Sequence, residues 1–228
     1  MGKLKSALGE NLYSCILYGS AARGNALPKI SDINILIVLE ESTPSAHSAI
    51  AEAIRDSIHV EPFILGRALL NRSMQAFATK FLSIRRNYRI LHGADPLADL
   101  KLDEPLARFL CEQSVRNLRL RLVRAYVVFG NDRKKYTRFL SRMTGTLFTS
   151  LGEALRRTGI DVPAEFDARI SLFERVFEVE ATVLKELLGL KEASRQLTAN
   201  DIPGFHARLF RLVDRAVHWM EGQWPPLR

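Results

Sequence analysis

Cysteine is scarce in this chain of 228 residues, which contains only Cys15 and Cys111. Each lies in an apolar stretch, and the Cys and His residues do not have the spacing of a zinc site. Both cysteines are therefore predicted to be buried, unpaired thiols, a state that the reducing cytoplasm maintains. The cysteine content favours a cytoplasmic location.

Long apolar runs are also absent. No stretch approaches about 18 consecutive apolar residues, the length typical of a membrane-spanning helix. The basic N-terminus, residues 1–6, is not followed by a long apolar segment, so no secretory signal is expected. With 47% hydrophobic and 25% charged residues, the composition is that of an ordinary globular protein with one or two domains. No membrane partner is expected.

Positive charge is in excess and is concentrated in one segment. The chain has a net charge of +8, and residues 108–142, here called the basic block, contain ten basic and two acidic residues. The rest of the chain is therefore neutral overall. Such a block favours an anionic partner, either nucleotide phosphates, RNA or an acidic protein. The alternative is a solvated helix face that binds nothing.

The first half of the chain has the periodicity of an α/β domain. Near-continuous apolar runs predict strands, and stretches with helical spacing predict helices. The predicted strands are Leu12–Tyr18, Ile33–Leu39 and Ile58–Leu65, and the predicted helices are residues 2–10, 46–57 and 69–89. Pro62 lacks a backbone donor, which favours an edge position for the third strand. Residues 91–97 are predicted to be a turn in which Gly93 adopts a left-handed conformation after the helix.

From Leu106 onwards the pattern is helical. An apolar stripe with i, i+4, i+7 spacing runs from Cys111 to Phe129 and predicts one long amphipathic helix. Further helices are expected over residues 139–158, 166–188 (in one or two pieces) and 205–220. The predicted fold class is therefore α/β: a small mixed-sheet domain over residues 1–100, followed by an antiparallel helical bundle over residues 101–228.

The most informative stretch is the turn Gly19-Ser20 followed, on the next predicted strand, by Asp32 and Asn34. Because Gly19 has no Cβ, the backbone N–H groups of this turn can approach an anion such as phosphate closely. Side chains alternate along a strand, so Asp32 and Asn34 are predicted to share one face. A phosphate-binding turn beside oxygen-bearing side chains suits metal-assisted phosphoryl or nucleotidyl transfer.

This stretch resembles the motif of the polymerase-β-like nucleotidyltransferase superfamily, including its minimal and kanamycin-nucleotidyltransferase-type members. The family pattern is Gly-Ser, a continuation with a small residue, Arg and Gly, and then Asp-x-Asp at the head of a strand. The matching residues are Gly19, Ser20, Arg23, Gly24, Ser31 and Asp32. Asn34 departs from the pattern, because the family has a second carboxylate there. The turn at residues 91–97 also resembles these enzymes.

The resemblance implies a role for each matching residue. The candidate Mg²⁺ ligands are Asp32, Asn34 and Glu61, of which Asn34 offers only a neutral carbonyl oxygen. Asp32 and Glu61 are the candidate catalytic residues. Glu61 would be the general base or a bridging metal ligand, or else a surface residue of an edge strand. Gly19, Ser20 and Arg23 are expected to contact the nucleoside triphosphate, although Arg23 could instead steady the turn. Arg116 and Arg119 do not belong to the family motif; they are expected to contact the triphosphate as members of the basic block.

These residues are compatible with two functions of different class, and Asn34 is the residue that distinguishes between them. The first is an enzyme that moves a nucleoside monophosphate from a nucleoside triphosphate to a hydroxyl group, with Mg²⁺ as cofactor. Its acceptor is a small molecule, a protein or RNA; the basic block speaks against a polycationic aminoglycoside. The second is a catalytically inactive module that binds a nucleotide or a partner protein, as an antitoxin-like subunit does. A homodimer is also left open.

Overall fold

The chain folds into two compact units. The computed structural model describes residues 1–23, 33–57, 60–192 and 196–224. The units are Met1–Asp103 and Glu104–Arg228. The first contains the strands and the second is helical, which confirms the predicted fold class.

A mixed sheet is the framework of the first unit. Within the described residues, four strands form this sheet in the order β3-β2-β1-β4. They are β1 (Leu12–Tyr18), β2 (Ile33–Leu39), β3 (Val60–Gly66) and β4 (Tyr88–Gly93). Strand β1 is antiparallel to β2 and β4, whereas β2 and β3 are parallel. β1 and β2 have the predicted bounds, and β3 lies at an edge, as Pro62 indicated.

Helices cover both faces of this sheet, which explains why its central strands are almost continuously apolar. The face that contains Cys15 and Ile37 packs against α1 (Gly2–Leu8) and α3 (Pro44–Ile54). The face that contains Ile16 and Leu36 packs against α4 (Leu70–Ala76) and α5 (Ala78–Arg86). A short helix, α2 (Ser20–Arg23), follows β1, and 3₁₀ turns occupy Gly9–Asn11 and Arg67–Leu69. Cys15 is a buried free thiol, as predicted.

Strand β4 corrects the sequence prediction, which continued a helix to Arg89. The apolar residues Ile84, Tyr88 and Leu91 keep a helical spacing, so periodicity alone favoured a helix. In the structure α5 ends at Arg86, and the following residues pair with the open edge of β1. Backbone hydrogen bonds to that edge outweigh the local preference.

The turn after β4 places Gly93 where the sequence expected it, but at the end of a strand rather than of a helix. Gly93 has a φ of 74°, in the left-handed region. The Asp95 carboxylate accepts hydrogen bonds from the Leu97 backbone N–H at 2.9 Å and from the Tyr88 hydroxyl at 2.6 Å. Asp95 therefore caps the turn.

The second unit is built on long amphipathic helices. They are α6 (Glu104–Phe129), α7 (Arg133–Arg157), α8 (Phe166–Phe177), α9 (Thr182–Lys191) and α10 (Asp201–Gln223). The predicted stripe on α6 is buried from Cys111 to Ala125, and Phe129 packs at the margin of the same core. No helix within the described ranges has the length and hydropathy of a membrane span.

Two helix boundaries in this unit differ from the prediction. α7 begins at Arg133 rather than at residue 139, because the Asp132 side chain accepts a hydrogen bond from the Lys135 backbone N–H and caps the helix. α10 begins at Asp201, ahead of the Pro203-Gly204 pair that was expected to precede it, since proline is tolerated in the first turn of a helix.

The first prediction concerns Gly93. A Cβ at this position would overlap the Tyr13 carbonyl oxygen, and the residue has a positive φ. Gly93→Ala should therefore lower the free energy of unfolding by more than about 1–2 kcal/mol, the cost of a left-handed non-glycine residue alone. Gly2→Ala is the control, because a Cβ there meets nothing within 4 Å. Urea unfolding followed by circular dichroism measures both, and equal stabilities would contradict the prediction.

Candidate active site

The register of the sheet places four polar or aromatic residues in one row. Glu61 on β3 pairs with Asn34 on β2, Asn34 pairs with Tyr18 on β1, and Tyr18 pairs with Tyr88 on β4. Cross-strand partners project to the same face of a sheet. The four side chains therefore share the face that α4 and α5 cover. This row is called the polar row below.

The turn after β1 lies directly beside the polar row. Gly19 follows Tyr18, and its φ of 79° is in the left-handed region. A Cβ built on Gly19 would lie 3.5 Å from the Asn34 side-chain nitrogen. A Cβ there would be in ordinary van der Waals contact with Asn34, whereas the positive φ would strain the turn for any other residue. Ser20 begins α2 immediately after, so the structure brings Gly19, Ser20 and Asn34 together, as the sequence predicts.

Part of the predicted site falls outside the described residues. Gly24, Ser31 and Asp32 lie in the segment 24–32, and of Arg23 only the backbone, at the end of α2, is described. The expected pairing of Asp32 with Asn34 on one face stays a prediction. The described part of the site therefore rests on the Gly19-Ser20 turn and on Asn34 and Glu61.

Glu61 lies both at an edge and next to the predicted site. It is exposed on the edge strand β3, which matches the surface-residue alternative, and it is the register partner of Asn34, which matches the ligand alternative. Its charge also acts on β1, which lies beyond β2 in the sheet. Burial raises the pKa of Tyr18 to about 12, and the negative charge of Glu61 contributes to the increase. Glu61 is thus electrostatically part of the polar row.

Lys80 is a member of this site that sequence reasoning missed. It belongs to α5, and its ammonium lies 4.0 Å from the centroid of the Phe63 ring and 5.9 Å from that of Tyr18. Lys80 keeps exposed surface, yet partial loss of water lowers its pKa, and the negative charge of Glu61 opposes this shift. A lysine inside a predicted helix gives no signal of its own, because the rotation of α5 over the sheet decides where it points.

The described residues of the site offer oxygen ligands, which suit a hard divalent cation, but they offer few of them. In the ranges that the structure describes, no group of three or more His, Cys, Asp or Glu side chains could hold a metal ion. The Glu61 carboxylate and the Asn34 amide oxygen are neighbours in the polar row. Mg²⁺ accepts such oxygen ligands and takes several others from phosphate and water. These two residues fit a metal that arrives with a nucleotide better than a metal held by protein alone.

The two arginines predicted to contact nucleotide are engaged within the second unit. Arg116 pairs with Glu112 at 2.7 Å and with Glu221 at 2.8 Å. Arg119 pairs with Asp214 at 2.7 Å and stacks over the Phe210 ring. Both link α6 to α10, where Arg116 donates from Nε and Nη2 and Arg119 from Nε, so each guanidinium keeps further N–H donors. Their role in nucleotide binding stays a prediction.

A comparison with protein families identifies the first unit. Residues 1–88 match the family model of the nucleotidyltransferase domain. The match is consistent with the polymerase-β-like superfamily, so the resemblance of the Gly19-Ser20 motif is confirmed. It spans β1, β2 and β3 and ends at the start of β4, and the nucleotidyltransferase domain therefore includes the described part of the polar row. No curated protein matches the chain.

The second prediction tests the link between Glu61 and Lys80. Glu61→Gln should lower the pKa of Lys80 further, because removal of the carboxylate removes the charge that favours the ammonium form. NMR titration of the lysine side-chain resonances measures the pKa, with Lys80→Arg to assign the signal. Glu52→Gln is the control, since Glu52 lies on α3, which packs on the opposite face of the sheet. An unchanged Lys80 pKa in Glu61→Gln would show that the two groups do not interact.

Proposed function

We propose that this protein is a Mg²⁺-dependent nucleotidyltransferase that moves a nucleoside monophosphate from a nucleoside triphosphate to a hydroxyl group. The observation that carries the proposal is the proximity of the Gly19 turn to Asn34, whose side-chain nitrogen lies 3.5 Å from where a Gly19 Cβ would be, with Glu61 next in the row. A turn with free backbone donors beside oxygen ligands is what phosphoryl chemistry requires. The match of residues 1–88 to the nucleotidyltransferase domain supports the same reaction.

Each residue of the site has a proposed task. The backbone of Gly19 and Ser20 binds the phosphates of the nucleotide, and Asp32, Asn34 and Glu61 are the ligands that would hold Mg²⁺. The metal, when bound with the nucleotide, supplies the positive charge that stabilises the departing pyrophosphate. Glu61 accepts the proton of the attacking hydroxyl, a task that suits an exposed carboxylate within reach of an incoming acceptor.

Lys80 gives the site a second source of positive charge. Asn34 carries no charge where the family has a carboxylate. The site therefore binds cations less strongly than a site with a carboxylate at that position. The Lys80 ammonium lies on the same face, where Glu61 acts on its pKa. We assign it to the triphosphate, as a fixed cation that replaces part of the charge of a second metal.

One observation favours a second candidate function. Asn34 removes one negative charge from the site, because it stands where the family pattern has a carboxylate. A domain with this substitution can keep the phosphate-binding turn and lose the chemistry. The second candidate is therefore a catalytically inactive module that binds a nucleotide or a partner protein, in the manner of an antitoxin-like subunit.

The third prediction separates the two candidates. Purified protein, Mg²⁺ and each of the α-labelled nucleoside triphosphates are incubated with total RNA, cell proteins or a small-molecule extract as acceptors. The enzyme hypothesis expects label in one acceptor fraction together with release of pyrophosphate. Asp32→Asn and Glu61→Gln should each abolish transfer, whereas Glu52→Gln should not. Nucleotide binding without transfer to any fraction would favour the inactive module.

The fourth prediction concerns Asn34. Asn34→Asp should tighten Mg²⁺ binding in the presence of nucleotide by about fivefold or more, since an added unit charge at ~4 Å contributes about 1–4 kcal/mol. Titration calorimetry with a non-hydrolysable triphosphate measures the affinity. Asn71→Asp, on the exposed surface of α4, controls for the change in net charge. Equal Mg²⁺ affinities of the parent and Asn34→Asp would show that position 34 does not face the metal.

A further inference from the structure

The second unit has an open groove beside the N-terminal half of α7. Its volume is about 540 Å³, within the range of ligand sites. Four basic side chains of α7 line it, namely Arg133, Lys134, Arg138 and Arg142. Leu190 and Leu197, both buried, contribute apolar surface, and no acidic side chain is among the described residues of the lining. This is the basic groove.

The positive charge of the basic groove is not compensated within the described part of the protein. No acidic partner pairs with any of the four cations there. Other members of the basic block behave differently: Lys135 pairs with Asp132, and Arg116 and Arg119 pair with acids of α6 and α10. Arg121 and Arg124 of the block also lack an acidic partner among the described residues, but they do not line the groove. The four groove cations are therefore distinguished by being both unpaired within the described ranges and gathered in one lining.

The arrangement of these cations is unfavourable for the helix itself. Lys134, Arg138 and Arg142 follow one another at i, i+4 spacing, and like charges at this spacing repel. Arg133 and Lys134 also lie in the first turn of α7, where the helix dipole disfavours positive charge. Helix stability therefore does not account for this face. An anion that binds along this face would offset both the repulsion between the cations and their unfavourable interaction with the helix dipole.

The length of the line of cations along α7 indicates which kind of anion fits the groove. At about 1.5 Å per residue, the stretch from Arg133 to Arg142 extends about 14 Å along the helix, with a cation at every turn. A free triphosphate is shorter than this row, whereas a nucleic-acid strand presents one phosphate per nucleotide. Thr137 and Ser141 lie between the cations in the lining and can donate hydrogen bonds to phosphate or sugar oxygens.

We propose that the basic groove binds the phosphodiester backbone of a single nucleic-acid strand. The lining contains no aromatic side chain among its described residues, so bases do not stack there and binding is independent of sequence. The groove, with a volume of about 540 Å³, has room for a few nucleotides of one strand, whereas a duplex is about 20 Å across. The proposal concerns binding alone, and it stands whether or not the first unit transfers nucleotides.

The fifth prediction uses the salt dependence of binding. A labelled single-stranded RNA of about 12 nucleotides is titrated with the full chain, without nucleotide or metal, and followed by fluorescence anisotropy. If four cations contact phosphates, the Kd should rise about 50-fold between about 50 and 200 mM salt. In Lys134→Gln/Arg138→Gln/Arg142→Gln the rise should be only about threefold, because about one contact remains. Glutamine keeps a similar helix propensity.

A matched variant removes the same charge elsewhere in the unit. Arg121, Arg124 and Arg211 are exposed and do not line the groove. Their triple change to glutamine should retain the salt dependence of the parent. The groove variant should melt at the same temperature as the parent or higher, since it loses only like-charge repulsion. A matched variant that loses as much affinity as the groove variant would overturn the proposal, because net charge would then explain binding.

Competitors test the nature of the ligand. Single-stranded DNA of the same sequence should compete with the RNA, because the backbone is what is bound, and any preference for RNA would report contacts to the 2′-hydroxyl. A duplex that binds more tightly than the single strand would contradict the proposal. So would inorganic tripolyphosphate or a polyglutamate peptide that displaces the RNA at equal charge concentration, since the groove would then be a general anion site.

Discussion

The pairing of β1, β2 and β3 is the constraint on which the candidate active site depends. Glu61, Asn34 and Tyr18 come from three separate segments, and only the hydrogen-bonded register brings them level. A slip of one residue in either ladder would turn the corresponding side chain to the opposite face, among the apolar residues that pack on α1 and α3. The buried residues on both faces, such as Ile16 and Ile37, prevent such a slip because each would lose its core. The apolar packing on both faces of the sheet thus fixes the positions of the polar residues in the candidate active site.

The two units use charge in different ways. In the first unit, few charges act over short distances: Glu61 adds to the increase that burial causes in the pKa of the partly buried Tyr18, and it opposes the desolvation of Lys80. In the helical unit, many cations occupy α6 and α7, and ion pairs with acids of α6 and α10 engage several of them, including Arg108, Arg116, Arg119 and Arg157. Exposed pairs of this kind add little stability each. In this unit, the pairs distinguish cations that have an acidic partner from the cations of the basic groove on α7, which have none among the described residues.

Sequence reasoning succeeded where a local pattern carries the information. The apolar runs of β1 and β2 and the stripe on α6 were predicted with their burial, because a core-facing strand or helix must repeat its apolar residues at a set period. Reasoning failed at β4, whose residues keep helical spacing and become a strand only because β1 offers them an edge. It also missed Lys80, whose place over Phe63 depends on how α5 packs.

By itself, the sequence determined the nucleotidyltransferase motif, the departure at Asn34, the fold class and the excess of positive charge over residues 108–142. These are properties of residue type and spacing, which no packing can alter. Only the tertiary structure decided that Glu61 is the neighbour of Asn34, that Lys80 joins them, and which cations are paired. Such facts join segments far apart in the chain, and their proximity is set by strand register and helix packing.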